Sequence, residues 1–162
     1  DPYQYNRLNL GDFIKAFSFS LKIEKRVALK HFEKDFITKL KLTNNKNLTI
    51  SSLFQFLRRI EELTNSKFKG EISDFLSLNR SKFINNIKNE NLEKTTSGLI
   101  ELSKCGFENY VDSFLFDSRS VISKKLREIK GNKKAEKKVY ADIRILAVGK
   151  SKILLNEIKA SR

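Results

Sequence analysis

The amino-acid sequence predicts an all-α chain of stacked helix pairs, either α-solenoid-like or a compact helical bundle. Apolar residues recur at spacings of three and four along most of the chain, the pattern of amphipathic helices. The stretch Phe68–Asn89, FKGEISDFLSLNRSKFINNIKN, is echoed 39 residues later by Phe107–Ile129, FENYVDSFLFDSRSVISKKLREI. At that offset Phe68 meets Phe107, Phe75 meets Phe114, Arg80 meets Arg119 and Ile87 meets Leu126. Strand signals are missing: there is no Asn-Gly or Asp-Gly hairpin and no βαβ spacing, and one Pro and six Gly are too few for a loop-rich chain. A period near 40 with two helical patterns per repeat marks a helical array. It divides a single domain, 1–162, into units 8–46, 47–91, 92–131 and 132–162.

Asp1–Arg7 is short and polar, an entry segment or the end of a preceding element. Asp12 is placed to N-cap a helix carrying Phe13, Ile14, Phe17 and Leu21. Val27, Leu29, Phe32, Phe36, Ile37 and Leu40 continue the pattern, with the break between the two helices near Lys22–Lys25. Thr43–Asn47, TNNKN, is a turn by composition. Thr49 or Ser51 caps the next helix, apolar at Leu53, Phe54, Phe56, Leu57, Ile60 and Leu63, and Asn65-Ser66 closes it. Its partner runs from Phe68 to Ile87, interrupted at Leu78-Asn79. A third pair opens at the cap cluster Thr95-Thr96-Ser97 and ends its first helix at Cys105-Gly106, where Gly accepts a left-handed backbone without a Cβ penalty. Its second helix extends from Asn109 to about Lys130, and Gly131-Asn132 then opens the lysine-rich loop GNKKAEKK. Val139 to Ile158 forms two short helices around Gly149, although Val139–Ile145 also alternates as a strand would.

With 40% apolar and 32% charged residues the chain is neither a disordered tail nor a membrane protein, and no apolar run approaches the roughly 20 residues of a membrane span. Thirty-three Lys and Arg against nineteen Asp and Glu leave a net charge of +14, which points to a polyanionic partner. Nucleic acid is the first such partner. An acidic protein, an anionic membrane face and the codon bias of an AT-rich genome are the alternatives.

Catalysis is not expected. There is no glycine-rich phosphate loop, and a single histidine, His31, and a single cysteine, Cys105, supply neither a nucleophilic triad nor a zinc site, nor is any cofactor implied. His31, among lysines, reads as a partly exposed surface imidazole, and Cys105 as a small buried filler. Glu61-Glu62 and Asp117 read as solvated carboxylates rather than metal ligands. Most of the thirteen phenylalanines fall on repeating apolar positions and belong to the core, whereas Tyr3, Tyr5 and Tyr110 are freer to stack on a base.

The basic residues carry the functional signal. The 39-residue offset aligns Lys41, Arg80 and Arg119 in one column and Lys88 and Arg127 in a second. Equivalent positions of stacked units form a stripe, with units about 10 Å apart, a spacing that suits the phosphates of an extended strand. The bland alternative is that these cations complement helix C-termini. Arg58-Arg59 and the dense run Lys124, Lys125, Arg127, Lys130, Lys133, Lys134, Lys137 and Lys138 are further phosphate anchors.

The segment Ser97–Phe107, SGLIELSKCGF, resembles the Leu-rich, Lys-x-Gly-Phe/Tyr core of octotricopeptide and heptatricopeptide repeats. These helix-pair units of organellar RNA-binding proteins are related to the FASTK and RAP-domain groups. Leu53–Phe68 keeps the shape but carries Arg58-Arg59-Ile60-Glu61-Glu62 where small residues and the Gly are expected, the first unit places Glu24 at the position of Leu63 and Leu102, and the fourth keeps only its apolar skeleton. The resemblance implies RNA binding in a mitochondrion or other organelle, as a processing factor or a ribosomal component. The sequence thus predicts a non-catalytic RNA-binding protein. The second reading is a scaffold or virulence-type module that docks on an acidic protein through an apolar groove.

Overall fold

The computed structural model describes residues 9–42 and 49–160. Among them it contains ten helices and no strand: α1 (Leu10–Ile23), α2 (Lys25–Leu42), α3 (Ile50–Leu63), α4 (Lys69–Leu78), α5 (Arg80–Ile87), α6 (Leu92–Lys104), α7 (Glu108–Asp117), α8 (Arg119–Glu128), α9 (Lys133–Leu146) and α10 (Lys152–Ala160). The chain is all-α, as its periodicity predicts. No described helix is long and apolar enough to cross a membrane. The predicted turn at Thr43–Asn47 lies outside the described residues.

Two compact units are present, one of residues 1–48 with 70–75, the other of 49–69 with 76–162. In the first, α1 and α2 pack together across the break at Glu24, inside the stretch where the sequence predicts it. Phe13, Phe17, Phe32 and Phe36 are fully buried. Their rings form a continuous cluster, with centroids 4.5 Å apart for the tilted pair Phe17 and Phe32 and 4.3 Å for the stacked pair Phe32 and Phe36. The cap of α1 is not Asp12 but Asn9, whose side-chain oxygen accepts from the Asp12 amide at 2.9 Å.

In the second unit α6 lies between α3 and α9, while α10 packs on α7 and α8. The predicted offset is kept by the second helices: α4 and α7 begin 39 residues apart, at Lys69 and Glu108, and so do α5 and α8, at Arg80 and Arg119. Both are broken one residue before the arginine. The break at Asn79 matches the predicted interruption, whereas that at Ser118 splits a stretch predicted as one helix. There the buried Ser118 hydroxyl donates to the Phe114 carbonyl at 2.7 Å, a back-bond of the kind that bends helices.

Thr49 caps α3 as expected. The cap of α6 is Asn91, and the predicted cap residues Thr95, Thr96 and Ser97 lie inside the helix. Thr95 and Ser97 satisfy their hydroxyls on the carbonyls four residues back. Gly106, at φ +94°, ends α6 as predicted, with the Phe107 amide bonded to the Leu102 carbonyl at 3.3 Å. Val139–Ile145 is helical, so the strand alternative is not taken.

Candidate nucleic-acid interface

The predicted columns of cations divide into engaged and solvent-facing members. Arg80 Nη2 is 2.5 Å from Asp117 Oδ2, and its guanidinium lies 5.7 Å from the centre of the Tyr110 ring. Arg119, its counterpart, donates to the Phe116 carbonyl at 2.7 Å and stacks 4.2 Å from the Phe116 ring. Arg58 pairs with Glu62 at 2.8 Å and also with Glu101. Of these three arginines, expected as phosphate contacts, Arg58 and Arg80 are paired with carboxylates within the chain and Arg119 is held by a carbonyl and a ring, and the side chain of Lys41 lies outside the described residues. Arg59, Lys88 and Arg127 are exposed.

The lysine-rich run is organised differently from the predicted loop. Lys124 and Arg127 are exposed on α8, Lys130 precedes a tight turn through Gly131 at φ +101°, and Lys133, Lys134 and Lys137 are exposed on α9. Asn132 N-caps α9 by accepting from the Ala135 amide at 3.2 Å, and Glu136 accepts from the Gly131 amide at 2.6 Å. Two members turn inward. Lys125 donates to the Lys88 carbonyl at 3.1 Å. Lys138 reaches Asp142 at 2.8 Å, the Ser97 hydroxyl at 2.6 Å and the Glu93 carbonyl at 2.9 Å, tying α9 to α6.

Placing Lys133 and Lys134 in the first turn of α9 runs against the helix dipole, whose positive end is there and which favours acids at that position. Glu136 is the acidic residue of that first turn. The arrangement costs helix stability and concentrates positive potential, the combination that attracts an anion.

Beside this face α8, α9 and α10 enclose a groove of about 600 Å³ lined by Ser123, Leu126, Arg127, Lys130, Glu136, Tyr140, Glu157 and Ile158. Arg127 and Lys130 are the two predicted phosphate anchors that the groove shares. Leu126 and Ile158 are nearly buried and supply its apolar floor. Ser123 Oγ is buried with no hydrogen-bond partner, and Glu157 is exposed with no hydrogen bond or ion pair among the described residues. Comparison with protein-family models, with curated proteins and with solved structures yields no match. The groove and its cations are thus the ground for a functional reading.

Tyr140, Ser123 and Glu157 do not stand out in the sequence. Tyr140 lies three residues after Lys137 in the stretch that also reads as a strand, and the groove it lines together with Glu157 and Ile158 is a tertiary arrangement that no local pattern encodes. Tyr110, predicted as a stacking residue, is instead half-buried, and its hydroxyl donates to the Leu76 carbonyl at 3.0 Å. Burial holds its phenol above the ordinary value. Tyr3 and Tyr5 lie outside the described residues. His31 is partly exposed, as its place among lysines predicts.

Cys105 is half-buried, with its thiol pushed up to about 11 by burial and then by the Glu61 charge, so it stays protonated and unreactive near neutrality. Glu61 itself is buried, not solvated, and both its carboxylate oxygens lack hydrogen-bond partners. No group of three His, Cys, Asp or Glu side chains able to hold a metal occurs among the described residues.

Proposed function

We propose that this chain binds single-stranded or structured RNA, without catalysis, through the cationic face formed by the end of α8, the turn at Lys130–Asn132 and the start of α9. The observation that carries the reading is the exposed set Lys124, Arg127, Lys130, Lys133, Lys134 and Lys137. Two of the six, Lys133 and Lys134, sit where they weaken the helix they belong to, so fold stability does not explain their presence. Neutralising phosphates with such cations releases condensed counterions and makes affinity fall steeply with salt. Arg58, Arg80 and Arg119, engaged within the fold, contribute less than the sequence columns suggest.

The test is fluorescence anisotropy with a mixed-sequence single-stranded RNA of about 20 nucleotides, titrated with salt. The Lys133→Gln, Lys134→Gln, Lys137→Gln triple variant should lower the slope of log affinity against log salt by about 2, close to 0.7 per cation removed. An unchanged slope, or equal binding to heparin, overturns the reading. One observation favours a second reading, docking on an acidic protein: Ile145, Val148 and Ile153 are exposed apolar residues in the same unit.

A further inference from the structure

We propose that Phe19, on α1, is a stacking platform for one unpaired base of single-stranded RNA. It lies in the first compact unit, whereas α8 and α9 belong to the second. The inference rests on the RNA-binding reading and adds to it a place where a base is held and not only a phosphate. Among the thirteen phenylalanines Phe19 alone is exposed, at 64%. Its neighbours in α1, Phe13 and Phe17, are fully buried. Two residues beyond Phe17, Phe19 is turned about 200° around the helix and so points away from that core. The ring has no aromatic or cation contact among the described residues.

The surroundings of the ring decide what it meets. Lys15 stands one turn before Phe19 and Ile23 one turn after it, so the three share the outward face of α1, with Lys22 beside them. Ile23 is 65% exposed, and Lys15, Lys22, Lys25 and Arg26 are exposed as well. Residues 15–26 thus set four cations against one acid, Glu24. None of the four has a hydrogen bond or ion pair from its side chain among the described residues, in contrast to Arg58 and Arg80. A single exposed apolar side chain is ordinary. A free ring beside a second exposed apolar side chain, among unpaired cations, has the composition of single-strand sites, where aromatic faces take bases and cations take the phosphates on either side. Every base has a π-face, so the platform adds affinity without choosing a sequence. A duplex keeps its bases stacked on one another and offers the ring nothing. A bilayer suits the patch less, because two apolar side chains fall short of the broad apolar face on which interfacial helices rest.

The chain contains no tryptophan, so Phe19→Trp puts a single indole fluorophore at the site. The mixed-sequence single strand should quench that indole as a base stacks on it, whereas the same strand annealed to its complement, and heparin, should not. In anisotropy Phe19→Ala should weaken single-strand binding about 5- to 10-fold, the lower part of the range for one stacked base. It should leave duplex affinity and the salt slope unchanged, since no charge is removed. Phe19→Leu keeps an apolar side chain without the ring and should lose as much; parental affinity in that variant overturns stacking. Circular dichroism confirms that each variant is folded. Indole emission that does not respond to a single strand bound by anisotropy overturns the platform and leaves the RNA reading standing. Absence of single-strand binding in both measurements overturns the two together. Emission that shifts to the blue on phosphatidylserine vesicles and is not quenched by RNA overturns the platform in favour of a membrane surface.

Discussion

Asp112 on α7 fixes the entry to α10 almost by itself. Its Oδ1 accepts from the amides of Gly149 at 3.0 Å and Ser151 at 3.2 Å and from the Ser151 hydroxyl, while Oδ2 accepts from the Lys150 amide at 3.0 Å. Gly149 is required there because a Cβ would come within 2.5 Å of Asp112 Oδ2. Burial favours the neutral acid, but the hydrogen bonds from Ser151, Gly149 and Lys150 outweigh it, and the carboxyl titrates below its ordinary value. A folded-state value below that of the unfolded chain, about 3.9 for Asp, stabilises the fold above that pH. The contribution is lost as pH falls through the folded value. Asp112→Ala should therefore cost about 1.5–3 kcal/mol at neutral pH, the scale of hydrogen bonds to a charged group. Urea unfolding at neutral pH and at about pH 3 checks this, and the gap between variant and parent should narrow at the lower pH. An equal gap at both would mean that the charge is not what holds the loop. None of this is legible in the sequence, where Gly149 reads as a break and Asp112 as one polar position among many. The partners are 37 to 39 residues apart, and no local pattern links them.

At the scale of helices, the apolar skeleton was readable, as were the Thr49 cap and the Gly106 stop, while the start of α6 and the break at Ser118 were not. Ile50, Leu53, Phe54, Leu57 and Ile60 on α3 and Leu99 and Leu102 on α6 are buried because their spacing admits no other face. Thr95 and Thr96 misled the placement of the α6 start, since a Thr hydroxyl can cap a helix or satisfy itself on a carbonyl within one, and sequence does not say which. What brings α3 and α6 together is Gly98, a small position whose added Cβ would stand 3.0 Å from Ser51 Cα. Gly98→Ala gains up to about 1 kcal/mol of helix propensity, yet pushes against backbone, where overpacking costs about 1–3 kcal/mol. The net expectation is a loss of about 1 kcal/mol and a lower thermal midpoint. A stabilised Gly98→Ala variant would mean that α3 and α6 part freely and that their contact is not set by that glycine.

Across the whole chain a net charge of +14 is divided between cations that hold the fold and cations that do not, and this division is what sequence reasoning misses. Arg80 and Arg127 look alike as letters in aligned columns. Their difference lies in neighbours such as Asp117, which the fold brings to Arg80, while Arg127 is left exposed. Arg80 belongs to α5 and Asp117 to α7, so the pair bridges the second helices of successive units, and the cation also lies over Tyr110. Both contacts are partly exposed, which limits the pair to about 0.5–1 kcal/mol, with a similar amount for the cation on the ring. Arg80→Gln should therefore lower the unfolding free energy by about 1–2 kcal/mol. It should leave the salt slope of RNA binding unchanged, because the charge it removes was already neutralised within the chain. The triple substitution of Lys133, Lys134 and Lys137 should do the reverse, lowering the slope while raising stability slightly, since it relieves cations at the positive end of α9. Measuring stability and salt slope on both variants separates the two roles. If Arg80→Gln lowers the slope as much as one lysine does, the arginine column contacts phosphate after all, and the Asp117 pair opens when RNA binds.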